Sequence, residues 1–177
     1  MTESVLVPDA LTMKRHRDLA GRGWEAWGRR ALLGLLLAFC ALGLAEVFGQ
    51  GTTSSTGVTP RATLQISAPA SVRGGLLYQA RFLVRATREL KDAQLVLSKG
   101  WVDGLTINTI EPGPVGEASR DGRLSFQLGH VPAGGSFVLY LDYQVNPTTV
   151  GRRRQVVDLS DGPTHLLTIR RTLTVFP

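Results

Sequence analysis

Hydrophobic and polar positions follow three different rules along this chain. From Ala31 to Phe48 the run ALLGLLLAFCALGLAEVF is apolar almost without interruption. The stretch Gly49 to Pro60, GQGTTSSTGVTP, has no hydrophobic period at all. After it the spacing becomes two. Leu64 and Ile66 alternate with polar neighbours, and Leu76, Tyr78, Ala80, Phe82, Val84 and Ala86 mark one face of a long strand that carries Leu77, Gln79, Arg81, Leu83 and Arg85 on the other. The same alternation recurs at Ala93, Leu95 and Leu97 and at Leu124, Phe126 and Leu128, and Leu105, Ile107 and Ile110 mark another strand. It is longest at Phe137, Leu139, Leu141, Tyr143 and Val145. Val156 to Leu159 and Leu166 to Val175, joined by the turn Asp161-Gly162-Pro163, close the series.

A helix over 31–48 rises roughly 27 Å at about 1.5 Å per residue, close to the roughly 30 Å hydrocarbon core of a bilayer. Before it, Lys14, Arg15, Arg17, Arg22, Arg29 and Arg30 are opposed only by Asp18 and Glu25 from Lys14 onward, and no basic residue lies between Ala31 and Gly57. Basic residues flanking a span stay in the cytoplasm. The expected topology is a single pass in the cell membrane, N-terminus cytoplasmic and C-terminal domain outside. Trp24 and Trp27, three apart and followed by Arg29 and Arg30, are the expected membrane-interface anchors; the alternative packs both indoles within a small cytoplasmic helix. Secretory signals share this design, and Gly43-Leu44-Ala45 offers a cleavage point before Glu46. The long head favours a retained span. Leu37 to Cys40 departs from a lipobox at Phe39, and Arg29-Arg30 is only a fragment of a twin-arginine signal.

The organisation expected is a basic cytoplasmic segment at 1–30, a transmembrane helix at 31–48, a flexible Gly/Ser/Thr linker at 49–60 and an extracytoplasmic domain at 61–177. Seven or eight strands separated by Gly, Pro and Asp turns, with no helical period among them, describe an all-β, immunoglobulin-like antiparallel β-sandwich. A domain of this size needs no disulfide. Cys40, the only cysteine, sits in the apolar run, which excludes an intramolecular bridge or a cysteine zinc cluster.

The net charge of +6 comes mainly from arginine, and residues 51–177 hold 14 basic and 9 acidic side chains. That balance suits anionic head groups or an anionic envelope polymer, and it lacks the aromatic-interleaved basic motif of a nucleic-acid reader. HExxH, GxSxG, GxGxxG, P-loop and CxxC motifs are absent, so no enzyme, cofactor or metal is expected. His130 and His165 read as loop or edge residues, and Asp158 with Asp161 as a turn. Two features are candidate partner contacts. Arg152-Arg153-Arg154 at a strand entrance offers donors to phosphate or carboxylate, the alternative being a solvated turn whose charges block edge-to-edge pairing. Trp101, between Gly100 and Gly104, either anchors a partner from a mobile loop or covers one end of the core.

Leu128-Gly129, then Pro132-Ala133-Gly134-Gly135-Ser136, then the strand Phe137 to Val145, with Leu173-Thr174-Val175 closing the chain, resembles the immunoglobulin-like DUF11-type and adhesion-like modules of bacterial surface proteins. The chain as a whole looks like the single-pass membrane proteins of high-GC bacteria. The resemblance implies fold and placement and is nearly silent on activity. The function expected is a non-enzymatic membrane protein presenting an interaction domain, an accessory or scaffolding subunit in contact with the lipid bilayer and a membrane-protein partner. A module binding an anionic envelope polymer is the alternative.

Overall fold

The computed structural model describes residues 23–44 and 51–177, which fall in two separate units. The basic head before Gly23 and the cleavage candidate at Ala45-Glu46 lie outside the described residues.

In the first unit, helix α1 runs Gly23–Leu44, a length of about 33 Å for its 22 residues. Leucine and alanine, which lose little side-chain entropy in a helix, fill half of it. Trp24–Leu44 has a mean hydropathy of 1.5, long and apolar enough to cross a membrane. The helix begins eight residues before the apolar run, so Trp24, Trp27, Arg29 and Arg30 all fall in its first turns, and both indoles are exposed.

The second unit is a sandwich of eleven strands: β1 (Thr52–Val58), β2 (Ala62–Pro69), β3 (Ser71–Arg73), β4 (Leu77–Ala86), β5 (Leu90–Leu97), β6 (Leu105–Glu111), β7 (Gly116–Arg120), β8 (Arg123–Val131), β9 (Ser136–Val145), β10 (Gly151–Asp161) and β11 (Thr164–Phe176). One sheet has the order β1-β2-β4-β9-β6 and the other β3-β11-β10-β5-β8-β7, with β3 and β11 parallel and the other pairings antiparallel. Tyr78, Ala80, Phe82, Val84 and Ala86 face the interior from β4, and Leu139, Leu141, Tyr143 and Val145 from β9. Phe82 and Leu139 are directly paired and fully buried. Leu76 departs from the expected alternation. It precedes the strand, in a turn that follows Gly75 at φ +81°, and is exposed.

The linker expected at 49–60 is also corrected, because Thr52–Val58 is β1, registered on β2 from Thr52↔Pro69 to Val58↔Thr63. The segment buries no large apolar side chain, so no hydrophobic alternation betrays it. Its small residues serve instead for close approach. Thr53 Oγ1 donates to the Ala68 carbonyl at 3.0 Å, and a Cβ on Gly57 would stand 3.2 Å from side-chain carbons of Leu167 and Ile169. The connection from α1 to the first strand is therefore residues 45–51, and the folded domain starts before residue 61.

Strand direction sorts the loops into two ends. At one end β1, β4, β6 and β10 begin while β2, β9 and β11 finish. At the other, Asp161 accepts hydrogen bonds from the Arg61 guanidinium and from the Asp92 amide, tying β10 to the turns before β2 and within β5.

Candidate interaction surface

Along β10, Gln155, Val157 and Leu159 are buried toward the other sheet. Period-two geometry puts Arg153 on that side and Arg152 and Arg154 on the outer face. Arg153 Nη1 donates to Asp103 Oδ2 at 3.1 Å, while Arg152 and Arg154 are exposed. The reading of these arginines as guards of a free edge is corrected. β10 lies inside its sheet, between β11 and β5. Beyond the end of β5, the 3₁₀ turn Lys99–Trp101 covers it so closely that a Cβ on Gly100 would stand 2.0 Å from the Arg154 carbonyl oxygen.

The topology brings further arginines to the same outer face. Arg170 on β11 lies opposite Val156, Arg73 on β3 opposite Phe176, and Arg120 on β7 opposite Arg123 on β8. With Arg152 and Arg154 these make six guanidinium groups on five strands of one sheet. Asp158 stands in their midst, accepting from Thr168 Oγ1 at 2.6 Å and Arg123 Nη2 at 3.4 Å. Arg120 and Arg123 are the one directly opposed pair of like charges among them, and the face as a whole is net basic, which suits an anionic partner. The sequence signal was present but dispersed, because the six arginines occupy outward register positions on five strands spread along the chain. The outer face of the other sheet is more neutral, with Gln79 donating to Asp142 at 2.9 Å between β4 and β9.

Of the two readings of Trp101, the structure has the one that covers the core, and the partner-contact reading is corrected. Trp101 is 0% exposed. Its ring centroid lies 5.2 Å from Phe82 and 6.1 Å from Tyr143, and the Arg171 guanidinium carbon sits 5.7 Å above it. The glycine beside it signals close packing of the 3₁₀ turn on β10 and not a mobile loop.

Around Trp101 the interior is polar. Arg171 and Gln155 are direct partners on β10 and β11 and occupy inward positions, facing Tyr78 and Tyr143, which stack at 5.1 Å on the opposite sheet. Burial pushes both tyrosine hydroxyls up, Tyr143 also through its proximity to Tyr78, and pushes the Arg171 guanidinium down. Both tyrosines therefore stay neutral at pH 7. Arg171 is held by the aromatic face of Trp101 and by the carbonyl oxygens of Ala68, at 2.9 Å, and Pro69. The arginine therefore bridges the two sheets at the end where β1 begins, and its role is structural.

Elsewhere, His130 Nε2 lies 2.9 Å from Glu89 Oε1, and His165 stands beside Thr168. Shallow clefts on the outer face of the first sheet, of about 280 and 400 Å³, share Tyr78 and Gln79 among their lining residues. Among the described residues no group of three or more His, Cys, Asp or Glu side chains is placed to hold a metal ion.

Two facing, mostly antiparallel sheets preceded by one apolar helix place the second unit among immunoglobulin-like β-sandwiches. No family model matches the chain, and no curated protein matches it. Among solved structures, CaCohA2 from Clostridium acetobutylicum is similar at 14% identity and a TM-score of 0.43, over 71% of this chain and 91% of that one. The CARDB domain of a Pyrococcus furiosus protein, crystallised with di-metal ions, is similar at 11% identity and a TM-score of 0.40, over 71% of this chain and 89% of that one. A β-glucuronidase of glycoside hydrolase family 2 aligns over 72% of this chain but only 11% of its own, at 10% identity and a TM-score of 0.35.

Proposed function

We propose that the protein is a non-enzymatic single-pass membrane protein that displays its sandwich outside the cytoplasm as an interaction module, an accessory or scaffolding subunit for a membrane-protein partner. The observation that carries the reading is the outer face of the second sheet, across which Arg73, Arg120, Arg123, Arg152, Arg154 and Arg170 are displayed on five strands. Guanidinium groups spaced across a sheet face fit an acidic protein surface, because each offers a planar donor fork to carboxylates. A short connection to the membrane helix raises the local concentration of the domain against membrane-resident partners, so modest affinity suffices. The same face favours a second reading, an anionic envelope polymer, whose binding weakens steeply with salt.

Charge reversal separates a contact surface from a solvated one. Purified from native membranes in mild detergent, the full chain is expected to retain one partner at fixed stoichiometry, and Arg154→Glu with Arg170→Glu to reduce that recovery at least about tenfold, as loss of close charge pairs does at other interfaces. Thermal stability should hardly change, since exposed charges contribute little to folding. Arg81→Glu with Arg85→Glu, on the opposite sheet, is the control. Equal recovery from both double variants would contradict the assignment, and recovery of polymer in place of a stoichiometric protein would select the second reading.

A further inference from the structure

The sandwich exposes six large apolar side chains among its described residues, Val58, Leu76, Leu77, Val115, Val150 and Phe176, and four of them lie at the end where β1 begins. Leu76, Leu77, Val150 and Phe176 come from three segments that are tied together. The Gly74 amide donates to the Phe176 carbonyl at 2.8 Å, the Gly75 amide to Val145 at 3.0 Å and the Val145 amide to Leu76 at 3.0 Å. A Cβ on Gly74 would meet the Pro147 carbonyl at 2.9 Å, so the loop carrying Val150 is packed against the same turn. A groove of about 310 Å³ runs among Val72, Arg73, Phe176 and Pro177.

Charge is segregated along the same axis. The apolar end carries Arg73, Lys99, Arg120, Arg123 and Arg152 against Asp103 and Asp121, an excess of base, while the opposite end balances Arg61, Arg88 and Lys91 against Glu89, Asp92 and Asp161. β1 starts at the basic, apolar end, and only residues 45–51 separate it from the last described residue of α1. Even fully extended, those seven residues reach no more than about 25 Å. Exposed leucine, valine and phenylalanine set among arginines are the chemistry of a lipid interface, with apolar tips in the head-group layer and cations on the phosphates.

We propose that this end of the sandwich docks on an anionic lipid surface, with Leu76, Leu77, Val150 and Phe176 entering the head-group layer and Arg73 and Arg152 on the phosphates. The inference rests on the single-span reading above. Docking orients the domain, leaving the outer faces of both sheets upright and the arginines farther along β10 and β11 open to a partner.

The test uses the full chain with Cys40→Ser and one new cysteine, Leu76→Cys or Val115→Cys, carrying an environment-sensitive fluorophore. Each is incorporated into vesicles of phosphatidylcholine with phosphatidylglycerol that contain nitroxide-bearing lipid. Quenching is expected to be at least about threefold stronger at position 76 than at 115, and to fall toward the value at 115 with Arg73→Glu and Arg152→Glu or in phosphatidylcholine alone. Equal quenching at both positions in a chain that resists carbonate extraction would overturn the docking and leave the span intact. Quenching at 76 that ignores lipid charge and both reversals would overturn the anionic assignment. Extraction of the chain by carbonate would overturn the span reading, and this inference with it.

Discussion

Trp101→Ala is expected to cost about 3–5 kcal/mol of folding stability, because a fully buried aromatic leaves both its transfer free energy and a cavity behind. Trp101 is among the largest fully buried side chains, in ring contact with Phe82 and Tyr143. It also supports the Arg171 guanidinium, which would lose the aromatic face that compensates its desolvation. Whole domains are stable by only about 5–15 kcal/mol, so the variant should unfold at markedly lower denaturant. Chemical unfolding of the full chain in detergent, followed by the β-sheet circular dichroism, measures this. Trp101→Phe, which retains most of the apolar contact, should recover part of the loss. A midpoint unchanged by Trp101→Ala would mean that the indole is not in the core.

Phe82→Ala should be nearly as damaging, at about 3–5 kcal/mol, and Leu139→Ala should cost about 2–5 kcal/mol, since each side chain faces the other sheet with no exposure. Arg81→Ala, one residue out of phase on the outer face, should cost less than about 1 kcal/mol. The contrast tests register directly, because a slip of one residue exchanges every inward and outward position on a strand. Comparable losses for Arg81→Ala and Phe82→Ala would reverse the assigned faces of β4. Phe82 and Trp101 are in ring contact, so their double variant should lose less than the two single losses together.

The second of these predictions draws on what the sequence discloses well. The alternation at Tyr78 to Ala86 and at Leu139 to Val145 names the buried faces correctly, because a half-buried strand must alternate. β1 was invisible for the same reason, since Thr52 to Gly57 contributes backbone pairing and small-residue contact without apolar periodicity. β3 and β7, three and five residues long, are too short and too polar to leave a pattern. Gly100 and Trp101 read as a loop because sequence cannot state that the absent Cβ makes room for the Arg154 carbonyl. The arginine face was legible only as the triplet Arg152-Arg153-Arg154. Its other members, Arg73, Arg120, Arg123 and Arg170, become neighbours through the order of strands in a sheet, which is a long-range property. Arg171, beside Arg170 in sequence, has the opposite fate because it occupies an inward register position.

The central claim is that one span presents the arginine-faced sandwich outside the cytoplasm, and impermeant thiol labelling of intact cells tests it most directly. In a Cys40→Ser background, cysteines are placed singly at Ser4 in the head and at Thr172, an exposed position on β11 opposite Arg154. The account expects the reagent to modify Thr172→Cys in intact cells and Ser4→Cys only after lysis. Labelling of Ser4→Cys alone, or of both positions equally, in intact cells would contradict it.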